Sequence, residues 1–90
     1  MQDSSKTKSD KLIQAAGNLI KKHREKLNKT MYGISAEVGV PKATWREVEL
    51  GLTDFRFTTI WKIAEGLNMP LYQLIKELQA ELGDDFTLTD

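Results

Sequence analysis

The stretch from Thr30 to Gly51, TMYGISAEVGVPKATWREVELG, constrains this chain more than any other. Two short helical patterns meet there across Gly39-Val40-Pro41. Ile34 and Val38 stand four apart, so they share one face of a first helix, with the small Ser35 beside it. Gly39 stops that helix, because glycine enters the left-handed conformation at little steric cost. Val40 offers an apolar plug for the turn. Pro41 suits the start of the next helix, since its φ is fixed and its missing N–H is not needed there. Beyond it Trp45, Val48 and Leu52 fall on one side. Lys42, Arg46 and Leu50, flanked by Ala43 and Glu47, fall on the other.

One apolar stripe is enough to hold a helix in a fold. The opposite stripe is here short, polar and able to form hydrogen bonds. A helix pinned by its back and presenting Lys, Thr, Arg and Glu outward is what the DNA major groove accepts. By pattern alone, a plain helical hairpin with a solvated face is an equal reading.

These residues resemble the helix-turn-helix of the lambda-repressor-like family, also called the XRE or Cro/repressor type. The resemblance rests on Ser35, Gly39, the flanking Ile34, Val38 and Val40, the inward Trp45 and Val48, and the ending Glu49-Leu50-Gly51. It extends to Gly17 through Glu25 before this run and to Ile60 through Ile75 after it. It implies an all-α, five-helix lambda-repressor-like bundle and sequence-specific DNA binding as a transcriptional regulator, a repressor acting as a dimer. It implies base reading by Lys42, Ala43, Thr44, Arg46 and Glu47. Phosphate contacts would come from Asn28, Lys29, Thr30 and Arg56, with Thr53 nearby. Arg24 and Glu49 match a family ion pair that sets the angle of the second helix and could present Arg24 to phosphate. The family's dimer surface maps onto Phe55, Phe57, Trp61, Met69, Leu71 and Tyr72. Met31 stands where the family often has a glutamine that contacts phosphate.

Charge first argues against a nucleic-acid partner, because the formal net charge is zero. Its distribution argues the other way. Residues 1–46 hold ten Lys/Arg against four Asp/Glu, and residues 47–90 hold three against nine. A polarised molecule puts a basic face on DNA and turns its acidic end away. Ninety residues allow one domain with a modest core. The chain has no cysteine and one histidine, which excludes a disulfide framework and leaves no ligand set for zinc. No cofactor is expected. No apolar run is long enough for a signal peptide or a membrane span, so a cytoplasmic, nucleoid-associated protein is expected. No phosphate loop, metal cluster or nucleophile–base pair points to an enzyme.

In chain order, residues 1–9 read as a flexible polar arm, 10–82 as the helix-turn-helix domain and 83–90 as an acidic tail. Ser9 or Asp10 is the expected first cap. Ile13, Ala16, Ile20 and Leu27 form the stripe of helix one, and Gly17 fits a close helix packing. His23 reads as a partly buried structural histidine. Thr30 caps helix two. Helix four is expected over 58–67, ended by Asn68-Met69-Pro70. Helix five follows with Leu71, Leu74, Ile75, Leu78 and Leu82 inward, ended by Gly83. Phe86 and Leu88 alternate with threonines, which suits either a short strand or a frayed tail. Two other functions stay open. One is an antitoxin or restriction–modification controller acting with a protein partner. The other is an interaction module that does not bind DNA, which Glu47, Met31 and the zero net charge favour.

Overall fold

Thr7 starts the first helix. Its hydroxyl accepts from the Asp10 N–H at 3.0 Å, and the Asp10 carboxylate accepts from the Thr7 N–H at 3.3 Å. This reciprocal capping box satisfies two donors that the helix itself cannot. In the computed structural model, which describes residues 7–89, α1 therefore runs from Lys8 to Lys26. The cap lies ahead of the expected Ser9 or Asp10, and Lys8 and Ser9 are helical. The rest of the expected arm, residues 1–6, lies outside the described residues.

Four more helices follow: α2 Met31–Val38, α3 Lys42–Glu49, α4 Phe57–Gly66 and α5 Leu71–Leu82. The fold is all-α, and the described tail residues form no strand. Thr30 caps α2 by accepting from the Gly33 N–H at 2.9 Å. Gly39 ends α2 with φ 70°, the left-handed value that the turn requires. Pro41 precedes α3 with extended backbone, and its carbonyl accepts from the Trp45 N–H at 3.0 Å.

The ends of α1 and α4 are built alike. Leu27-Asn28 and Leu67-Asn68 each place asparagine at positive φ, 56° and 60°. Asn28 N–H donates to the Glu25 carbonyl and Lys29 N–H to that of Arg24, and Asn68 and Met69 repeat the pattern on Glu65 and Ala64. Asparagine tolerates this conformation better than other residues with a Cβ, so it closes a helix where glycine is absent.

The helices pack as a ring: α1 on α3, α3 on α2, α2 on α4, α4 on α5 and α5 on α1. Trp45, Ile20, Ile34, Ile63 and Val48 fill its centre. At one crossing α1 has no room for a side chain. A Cβ on Gly17 would lie 2.3 Å from the Val48 carbonyl oxygen and 2.9 Å from that of Glu49.

His23 ties α1 to α5, its Nε2 lying 2.6 Å from Glu77 Oε1. Gln73 donates to the other Glu77 oxygen. These two hydrogen bonds, Gln73 first, hold the Glu77 carboxyl below the usual carboxylate range. Leu27, Leu52 and Ile75 were expected inside, but all three are exposed. Leu52 follows the end of α3, so the helical period no longer governs where it points. Ile75 sits at the edge of the α5 stripe, where no helix covers it.

Candidate nucleic-acid interface

The site is built from the back of α3 outward. Trp45 and Val48, three apart, are wholly enclosed and fix that side of the helix. Glu49, one residue on, is buried and accepts three hydrogen bonds. Arg24 Nε and Nη2 reach its two carboxylate oxygens at 2.5 and 2.9 Å, and the Trp45 indole N–H reaches Oε2 at 2.6 Å. Arg24 Nη1 donates to the Lys29 carbonyl at 2.8 Å. A bidentate guanidinium–carboxylate pair fixes orientation as well as distance. Bonding to Glu49 raises the pKa of the Arg24 guanidinium further. The family ion pair is therefore present, and it locks α1 to α3. Arg24 itself is buried, its Nε and both Nη atoms are engaged, and it does not face outward as a phosphate contact would.

With its back held, α3 presents Lys42, Ala43, Arg46 and Glu47 to solvent, and Thr44 half-buried. Among the described residues, Lys42, Arg46 and Arg56 form no ion pair within the chain. Lys29 differs. Its ammonium donates to Glu37 at 2.9 Å and to the Gly66 carbonyl at 3.0 Å, bridging α2 to the end of α4. The cation is turned to the protein, which is the opposite of what its sequence position suggests. Asn28 and Thr30 stay exposed, with the Thr30 hydroxyl engaged in its cap.

Arg56 lines a concave surface between the turn, α3 and α4, together with Thr44, Glu47, Thr53, Thr59 and Lys62. Sequence reasoning missed Thr59 and Lys62. Lys62 lies six residues after Arg56, and only the fold carries it to the flank of α3. It also missed Tyr32, exposed on α2.

The aromatic residues assigned to a dimer surface divide in two. Phe57, Trp61 and Tyr72 are 72%, 52% and 73% exposed, whereas Phe55, Met69 and Leu71 are half-buried against the core. Phe57 and Trp61 meet edge to face, with ring centroids 6.3 Å apart. Ile75, 45% exposed, joins Phe57, Trp61 and Tyr72 along one shallow groove between α4 and α5.

Two short helices across a glycine turn, the second locked by its back and polar on its front, define a helix-turn-helix DNA-binding domain. The family model described as helix-turn-helix matches residues 20–74, more than half of the chain. The chain belongs to that family, the XRE or lambda-repressor-like type of DNA-binding regulator. No curated protein matches it. No described helix is long and apolar enough to cross a membrane, and no group of described residues has the makings of a metal site.

Proposed function

We propose that the chain is a transcriptional repressor that reads a short inverted repeat as a two-fold dimer, with α3 in the major groove. The observation that carries this reading is the contrast among its cations. Arg24 and Lys29 are bonded inside the fold, while Lys42, Arg46 and Arg56 stand outward without a partner among the described residues. Arg46 suits a guanine edge, Glu47 accepts from cytosine, and the methyl group of Ala43 suits that of thymine. Lys42 and Thr44 complete the reading face. Arg56 and Lys62 hold phosphate on the flank, with Asn28 and Thr30 at the start of α2. Lys29 drops out of that set.

Arg46→Ala is expected to weaken operator binding by ~1–3 kcal/mol and relax preference at one base pair. Quantitative binding to a library of operator variants checks this. Equal affinity and unchanged preference would remove Arg46 from the reading face. Arg56→Ala is expected to weaken operator and random duplex alike, and to flatten the log–log salt slope by about one unit. Lys29→Ala serves as the contrast, with no change of slope expected.

One such helix spans only a few base pairs, so pairing of two copies is needed to mark a site. The exposed Phe57, Trp61, Tyr72 and Ile75 supply the surface, since aromatic groups suit a contact with a dry centre and a wet edge. The two copies of α3 would then sit about 34 Å apart, one turn of DNA. Sedimentation is expected to find a dimer that Trp61→Ala with Tyr72→Ala converts to monomer. A parent that stays monomeric at high micromolar concentration and binds one to one without a palindrome would refute the dimer.

Glu47 and Asp54 place exposed carboxylates on the same side as Arg46 and Arg56, which favours a protein partner as the second reading. Binding to random duplex at low salt separates the two. Its absence leaves the interaction module.

A further inference from the structure

Helices α1 and α5 pack on each other but do not close along their whole length. Leu12 and Ile13 of α1 and Leu78 and Leu82 of α5 stay half-buried. Between them runs a cleft of about 570 Å³. The chain after α5 turns at Gly83, where the Phe86 N–H donates to the Gly83 carbonyl, and comes back over this cleft. Phe86, Thr87 and Leu88 form part of its wall, and Lys8 Nζ at the start of α1 donates to the Thr89 carbonyl at 3.3 Å. The described tail residues thus form no strand and lie against this cleft.

We infer that this cleft is a binding site for one neutral, largely apolar small molecule, with the tail as its movable wall. Three observations fix the occupant. The volume falls within the range of ligand pockets and far below what a second chain needs. The lining carries one charged group, Asp54, which is exposed, so its buried part offers no counter-ion to a ligand of either sign. The remaining polar groups are already engaged, the Gln79 amide with the Gly83 carbonyl and the Thr87 hydroxyl with Thr89. What remains is apolar surface that side chains do not fill, and an unfilled apolar space accepts an apolar guest. The tail forms part of the wall, and its hydrogen bond to Lys8 is exposed, so that wall can open for a small molecule. The site stands on the cleft alone and does not depend on DNA binding.

The probe is N-phenyl-1-naphthylamine, a neutral dye that fluoresces when it leaves water. Titrated into the full chain, it is expected to saturate at one molecule per chain. Methyl resonances of Leu12, Ile13, Leu78, Leu82 and Leu88 are expected to shift together. Leu12→Trp, which fills the cleft from a half-buried position, is expected to weaken binding at least about tenfold. Lys22→Ala, exposed on α1 and outside the cleft, is expected to change nothing. A titration that does not saturate would overturn the inference. So would shifts centred on Trp61 and Tyr72, or undiminished binding by a folded Leu12→Trp. If that variant fails to fold, the methyl shifts of the parent decide alone.

Discussion

Glu49→Ala is expected to destabilise the protein by about 3–5 kcal/mol, the cost of stranding one member of a buried ion pair. The substitution removes acceptors from two guanidinium donors and the Trp45 indole at once, and both Arg24 and Trp45 are buried. A small domain has on the order of 5–15 kcal/mol in all, so much of the molecule would be unfolded at physiological temperature. Urea denaturation of the parent, Glu49→Ala, Arg24→Ala and the pair Arg24→Met with Glu49→Leu checks the account. Both single variants are expected to be severe. The double variant is expected to recover most of the loss, because two apolar groups leave nothing unpaired. A Glu49→Ala loss within about 1 kcal/mol would mean that the pair does not hold α3.

Gly17→Ala is the second. In a helix interior this exchange ordinarily gains up to about 1 kcal/mol. Here the sign reverses. The added methyl group meets the carbonyl oxygens of Val48 and Glu49, and these are backbone atoms that cannot rotate away. A loss of about 3 kcal/mol is expected, the upper end of what overpacking costs. The same exchange at an exposed helix site provides the comparison. Any gain in stability at Gly17 would show that α1 and α3 lie further apart than described.

Local chemistry made most of the fold readable. The left-handed turn at Gly39, the buried Val40, and the inward Trp45 and Val48 follow from spacing and from residue type alone. So did the close packing at Gly17. Thr7 was readable too, since a threonine three residues before an acid is a cap signal that the nearer Ser9 and Asp10 obscured. What failed were inferences that carried a period beyond its helix, as with Leu52, or across a stripe's edge, as with Ile75. The destination of Lys29 was hidden for a different reason. Its partners, Glu37 and the Gly66 carbonyl, come from two other helices, and no spacing along the chain brings them together. His23 and Glu77, 54 residues apart, are the same case.

The lock on α3 separates two kinds of information along eight residues. Trp45, Val48 and Glu49 hold the helix, while Lys42, Ala43, Arg46 and Glu47 contribute nothing to the core. Selection can therefore rewrite the outward set at little cost in folding, because surface exchanges away from such anchors usually lie within about 0.5 kcal/mol. A gene duplicate of this chain could drift to a new operator through a run of stable intermediates. Glu49 cannot drift alone, since its loss strands both Arg24 and the Trp45 indole.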